Sequence, residues 1–156
     1  MISVDEPNFQ TTLPPLTEEL VLKLWSQTYN TNGKPDWAHI FPYYAEEIVF
    51  QDPIQKVVGK TDFMAMCNRL TKRCQELKMD ITSIAIVENV IFMQWTMTMI
   101  FRKTPSTPIY GCSKLSLNAA GLIARQRDYY DLWGDIFANV PAMKRAYPRF
   151  MRKHFG

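Results

Sequence analysis

The sequence predicts an α+β fold in which three N-terminal helices pack on one face of a curved, mixed but mostly antiparallel sheet. Three observations predict it. Apolar residues recur with a helical period through the first half of the chain and then switch to the two-residue alternation of strands. Clusters of Gly, Pro, Asn and Ser cut the alternating half into adjacent runs, as a meander of hairpins requires. A length of 156 residues suits one domain and can remove about two-thirds of the unfolded surface from water. Helices followed by a meander bury their apolar sides against each other as layers.

Residues 1–15 read as an arm ending at Pro14-Pro15. Thr17 is suited to cap a helix over 17–29, with Glu18 and Glu19 at its electropositive start and Leu20, Val21, Leu24 and Trp25 along its apolar side. Asn32-Gly33-Lys34-Pro35 stops it. Asp36 can cap a second, short helix through Trp37, Ile40 and Phe41 to Tyr44. Ile48 to Asp52 reads as a short strand closed by Pro53, and Val57-Val58 leads to Gly59. A third helix over 61–74 places Phe63, Met66, Cys67, Leu70 and Cys74 on one side. Residues 80–87 alternate loosely up to a turn at Glu88-Asn89. The strand over 90–102 has Ile91, Met93, Trp95, Met97 and Met99 on one face and Phe92, Gln94, Thr96 and Thr98 on the other. A loop at 104–108 precedes strands at 109–117 and 122–130, joined by the turn Asn118-Ala119-Ala120-Gly121. In the tail, Trp133, Ile136, Phe137 and Val140 make a helical turn or two; Pro141 starts a second piece, which Pro148 interrupts. The domain therefore spans 16–139 and a basic extension 140–156.

Composition narrows the function. With 47% apolar and 21% charged residues the chain reads as an ordinary soluble protein. Aromatics at 13% and nine Met suit a roomy interior that holds an apolar ligand, or a core they simply fill. Every acid precedes Pro141, whereas the tail carries Lys144, Arg145, Arg149, Arg152 and Lys153. No basic stripe with interleaved aromatics crosses the body, so nucleic acid is not an expected partner. Three Cys without Cys-x-x-Cys spacing argue against a disulfide framework and a zinc site, and a cytoplasmic location is expected. The polar N-terminus does not read as a signal peptide, so none is expected, and no apolar run approaches the roughly 18 residues that span a bilayer. His39 and His154 stand apart from any ligand cluster, and His39 reads as a packing or surface residue; no metal or cofactor is expected. Gly-rich phosphate loops and nucleophile elbows are absent, and Cys112 has no evident His partner.

Two segments carry a family likeness. One is Phe50-Gln51-Asp52-Pro53 followed by Val58-Gly59; the other is Gly121-Leu122-Ile123 followed by Arg127-Asp128-Tyr129-Tyr130-Asp131. With the order of elements they resemble the NTF2-like superfamily over about residues 15–139. Within it the chain looks most like SnoaL-like proteins, ketosteroid isomerases and limonene-epoxide hydrolases. The resemblance implies a cone-shaped fold holding a small apolar ligand, and a homodimer through the open sheet face of Phe92, Gln94, Thr96 and Thr98.

Likeness to the isomerase strand makes Asp52 the general base, raised in pKa by apolar surroundings. Asp52 equally suits a cap of the turn at Pro53. The isomerases also place an Asp on the penultimate strand as a donor to the enolate oxygen. Here that stretch, Ile109-Tyr110-Gly111-Cys112-Ser113-Lys114, has no carboxylic acid, and Tyr110 is the substitute donor provided that it faces inward. Likeness to the final hydrolase strand puts Asp128 in place of the water-activating carboxylate, Asp52 in place of an Asn and Phe50 in place of a Tyr. The hydrolase's Arg and second Asp fall at Trp95 and Met97, both apolar, which leaves a wider and greasier pocket. By alternation Asp128 and Tyr130 point into the cone and Arg127 and Tyr129 away from it, while Asp131 reads as a cap before Trp133.

The candidate catalytic residues are Asp52, Asp128 and Tyr110. The candidate ligand contacts are Trp25, Phe50, Met93, Trp95, Met97, Met99, Cys112 and Tyr130. Two carboxylates sharing one pocket would leave one of them protonated, the minimum kit for acid–base work. The function implied is a cofactor-free isomerase, cyclase, dehydratase or hydrolase acting on a small apolar or polyketide-like molecule. The alternative is a non-catalytic small-molecule-binding or dimeric interaction module. Five cations with Phe150, Met151 and Phe155 suit weak membrane-surface contact, but a docked or frayed terminal helix is the expected reading of the tail.

Overall fold

The structure, a computed structural model, describes residues 12–29, 34–101, 107–136 and 140–156. The arm over 1–11, the stop at Asn32-Gly33, the loop at 104–106 and Phe137 lie outside the described residues.

Helix α1 spans Glu18–Tyr29. The Thr17 hydroxyl accepts the Leu20 amide at 3.2 Å, the cap its side chain suggests. Val21, Leu24, Trp25 and Thr28 form its buried side. The expected second helix does not form. The Asp36 carboxylate accepts the Ala38 amide at 2.9 Å, but only a turn and the three-residue 3-10 segment Phe41–Tyr43 follow. Pro42 has no N–H to continue an α-helix, so the chain closes with a tighter bond from the Tyr43 amide to the Ile40 carbonyl at 3.0 Å. Two helices, not three, therefore lie in the N-terminal half; the second is α2, Lys60–Arg73.

Strands are β1 (Tyr44–Gln51), β2 (Lys56–Val58), β3 (Cys74–Val87), β4 (Val90–Phe101), β5 (Thr107–Leu117) and β6 (Ile123–Tyr130). They form one sheet in the order β2-β1-β6-β5-β4-β3. Every neighbouring pair is antiparallel except β1 and β6, which run parallel. Strand β1 begins four residues before the expected Ile48, because an irregularity between Tyr44 and Val49 puts Glu46 and Glu47 side by side at the surface and hides the alternation. Strand β3 likewise begins at Cys74, where α2 passes into it directly. A register shift between Ile81 and Ser83 moves its inward positions from Leu77, Met79 and Ile81 to Ile84 and Ile86.

The core lies between the two helices and the concave sheet face, with Val21, Ile48, Leu77, Ile91, Met93, Leu115 and Ile123 fully buried. Phe63 of α2 meets Tyr44 at 4.6 Å and Phe50 at 5.5 Å between ring centroids. After β6 comes the π-helical turn Leu132–Ile136 and then helix α3, Ala146–Phe155. Pro148 does not interrupt α3; it occupies the first turn, where a missing N–H costs nothing.

Candidate functional site

Strand alternation and register build the site. Across β4, β5 and β6 three inward rows follow one another: Ile91, Leu115 and Gln126; Met93, Ser113 and Asp128; Trp95, Gly111 and Tyr130. The first row is sealed by core residues. The third lies towards the C-terminal ends of β6 and of its parallel neighbour β1, where Asp52 leaves the sheet. Burial falls off along this direction. Ile91 and Leu115 are fully enclosed, whereas Asp128, Tyr130, Asp52, Met97 and Met99 keep part of their surface exposed. The concave face is thus closed by core at one end and open at the other.

Asp128 sits at the polar centre of this face. Its Oδ1 accepts the Ser113 hydroxyl at 2.6 Å and the Gln126 amide at 3.0 Å; Oδ2 receives the same amide at 3.2 Å. Each donor is itself held. Trp95 Nε1 donates to Ser113 Oγ at 2.9 Å, and Tyr44 donates to Gln126 Oε1 at 2.7 Å, which turns the Gln126 amide nitrogen towards Asp128. Burial raises the Asp128 pKa to about 6; the Ser113 and Gln126 bonds pull it down, and the Asp52 charge adds a smaller push upward. Burial also raises the Tyr29, Tyr44 and Tyr130 hydroxyls and pushes the Cys67 thiol up to about 12, so these neighbours stay protonated.

Asp52 has a different setting. Its Oδ1 accepts the Ile54 and Gln55 amides, both at 2.8 Å, and so caps the turn at Pro53. Its Oδ2 accepts the Tyr130 hydroxyl at 3.2 Å. The capping role and the place at the open end coexist.

Gly111 makes the arrangement possible. A Cβ there would collide with the Trp95 ring, so the indole lies across the glycine and reaches Ser113. Trp95 and Tyr130 flank this gap with ring centroids 6.3 Å apart.

The expected site residues divide into three groups. Asp52, Asp128, Tyr130, Trp95, Met97 and Met99 share the concave face. Trp25, Phe50 and Met93 belong to the closed core. Tyr110 and Cys112 are on the opposite face, which corrects their inward placement: Tyr110 is 61% exposed, and Cys112 pairs across the sheet with outward Gln94 and Tyr129. Ile109 and Leu115 are the inward anchors of β5, and alternation from them sends residues 110 and 112 outward. The convex face carries a shallow depression of about 490 Å³ bordered by Phe92, Gln94, Tyr110, Cys112 and Tyr129.

Sequence reasoning missed Ser113, Gln126 and Tyr44. Gln126 had a signal, since it lies two residues before Asp128 and must share its face. Tyr44 had none, because its partner is 82 positions away. Other side chains have structural duties. Asp131 accepts the Trp133 and Gly134 amides, and the His39 ring nitrogen Nε2 donates to the Leu24 carbonyl at 2.9 Å. Among the described residues no group of three or more His, Cys, Asp and Glu could hold a metal ion, and no helix is long and apolar enough to cross a membrane.

The family model of the SnoaL-like domain matches residues 25–126, which run from the second half of α1 through α2 and the sheet up to Gln126. This chain belongs to the SnoaL-like family. The SnoaL-like chain is also similar to solved structures. An LEH-like epoxide hydrolase from M. tuberculosis superposes with a TM-score of 0.62 at 15% identity, over 83% of this chain and 92% of that one. A candidate SnoaL-like polyketide cyclase from Jannaschia sp. CCS1 gives 0.64 at 16% identity, over 80% and 90%. A protein of ketosteroid isomerase-like fold from Catenulispora acidiphila, bound to trimethylamine, gives 0.61 at 13% identity, over 81% and 91%. At these identities the likeness speaks for the fold alone. No curated protein matches this SnoaL-like sequence.

Proposed function

We propose that this SnoaL-like protein is a cofactor-free enzyme. It performs acid–base chemistry, an isomerisation, cyclisation, dehydration or hydrolysis, on a small apolar or polyketide-like molecule held on the concave face. The observation that carries the reading is Asp128: a partly buried carboxyl on the concave face whose pKa burial raises to about 6, with Oδ2 held by a single long bond. At neutral pH it is mostly ionised, yet basic enough to take a proton from an activated C–H or from water and to return it. Oδ2 is the atom that receives the proton, because Oδ1 already accepts two donors. Asp52 acts one step away as the group that fixes Tyr130 at the open end. The general-base role thus shifts from Asp52 to Asp128, and Tyr110 leaves the catalytic set because it faces outward.

A second reading is a non-catalytic binding module. Ser113 and Gln126 are committed to Asp128, Trp95 to Ser113 and Tyr130 to Asp52, so these donors are not available to a developing oxyanion. In either reading a homodimer through the convex face is consistent with the exposed Phe92, Tyr110 and Tyr129 there.

The test is turnover of a panel of small epoxides, unsaturated ketones and poly-β-ketones by wild type and Asp128→Asn. The enzyme reading expects a rate that rises with pH through about 6 and falls at least ~100-fold in the variant. Equal turnover by both proteins would remove Asp128 from the chemistry. Saturable binding by both without turnover would establish the binding module.

A further inference from the structure

The proposed chemistry makes no use of helix α3. None of its residues is buried, so it is a formed helix that does not dock into the core. Its sequence lays out two opposed stripes at helical spacing. Tyr147, Phe150, Met151, His154 and Phe155 lie on one side; Arg149, Arg152 and Lys153, continued by Arg145, lie on the other. Phe150 is 55% and Phe155 76% exposed. The Phe150 ring meets His154 at 4.7 Å and Phe155 at 6.5 Å, so the apolar stripe packs along itself. Tyr147 stacks on Trp133 at 5.9 Å and ties the helix start to the turn after β6.

Charge is segregated in the same way. The net charge of +3 is a tail of +5 on a body of −2, since every acid precedes Pro141. Among the described residues the ion pairs are Lys60–Glu46 and Lys78–Glu76, and no carboxylate of the body forms an ion pair with a tail cation.

We propose that α3 is an interfacial anchor that lies in the plane of a membrane surface bearing anionic lipid headgroups. Phe150, Met151 and Phe155 enter the boundary between headgroups and acyl chains, and Arg149, Arg152 and Lys153 reach the anionic headgroups. A polynucleotide would satisfy the cationic stripe and leave two phenylalanines in water; a bilayer takes both stripes at once. The helix is short and is a single signal, so the contact is reversible and sensitive to salt. The turn Leu132–Ile136, which precedes the tail in the chain, follows Tyr130 at the end of the sheet where Asp52 stands, and Tyr147 of α3 stacks on its Trp133. An anchor there would tether the open end of the concave face beside a phase that dissolves apolar molecules.

The experiment is co-sedimentation of the full chain with vesicles of phosphatidylcholine alone, and with phosphatidylserine added at about one part in three. The expected result is sedimentation only with the anionic vesicles, reversed by raising salt. It should weaken at least ~10-fold both in Arg149→Glu/Arg152→Glu and in Phe150→Ser/Phe155→Ser, with unchanged circular dichroism. If either pair fails to fold, the single variants R152E and F155S replace it. No sedimentation with anionic vesicles at low salt overturns the proposal, as does equal sedimentation with neutral ones. Retention by the Phe150→Ser/Phe155→Ser variant also overturns it, by reducing the contact to charge alone. So does a fall from dimer to monomer in that variant without any change in vesicle binding, because the stripe would then belong to a second copy.

Discussion

A carboxyl raised in the folded state binds its proton more tightly there than in the unfolded chain. Asp128 therefore contributes stability below its ordinary value of 3.8 and loses it as pH rises through about 6. The full excursion is on the order of 3 kcal/mol. Asp128→Asn removes this slope. The stability of the variant relative to wild type should accordingly improve by roughly 2–3 kcal/mol between pH 4 and pH 7, read from denaturant unfolding at the two values. A difference that does not change with pH would mean that Asp128 is not raised. Ser113→Ala removes the bond that pulls Asp128 down, so the apparent pKa should move above about 6 in a carboxyl-carbon NMR titration. At this scale the sequence was partly legible. Alternation from Asp128 gave Tyr130 inward and Tyr129 outward without help. The same rule applied from Ile109 and Leu115 turns Tyr110 and Cys112 outward, against the inward roles that the family likeness suggests for them.

The elements were legible wherever a periodic run was long and its ends were marked. Helices α1 and α2 and strands β4, β5 and β6 lie within a few residues of expectation. The misses have local causes. Pro42 converts a capped start into a 3-10 turn, and irregularities in β1 and β3 break the two-residue period that announces a strand. Strand β1 is the element whose position matters most, because Tyr44 at its start holds Gln126 in the orientation that serves Asp128. Tyr44→Phe leaves a buried amide oxygen without its donor. It should cost about 1–2 kcal/mol, seen as a lower denaturant midpoint at unchanged slope. It should also free the Gln126 amide to turn, weakening its bond to Asp128, so a further rise of the Asp128 titration is the accompanying sign. A Tyr44→Phe protein with wild-type stability and titration would show that Gln126 is oriented by something else.

For the molecule as a whole, the sheet order is the property that sequence could not provide. Hairpin turns place β3 to β6 side by side, but nothing local joins β1 to β6, a parallel pair with α2 and four strands between its members. That pairing brings Asp52 to the end of the sheet occupied by Tyr130. It also leaves β2 and β3 as the edge strands, and only β3 is long. Amide exchange should reflect this order. The amides of β5 and β6, which have a strand on both sides, should exchange last, and those of β2 and the outer side of β3 first. Earlier exchange of β6 than of β3 would argue against the β1–β6 closure.

The contact between Trp95 and Gly111 has a historical consequence as well. A side chain at position 111 is inadmissible while the indole lies across it, but becomes admissible once position 95 holds something smaller. Any lineage that reshapes this part of the concave face must therefore change 95 before 111, since the opposite order passes through a collision. Gly111→Ala should cost about 1–3 kcal/mol in the native background and much less in Trp95→Leu, a coupling that a double-mutant cycle reads directly. The glycine thus acts as a ratchet on divergence: it preserves the tryptophan that obliges it to remain a glycine.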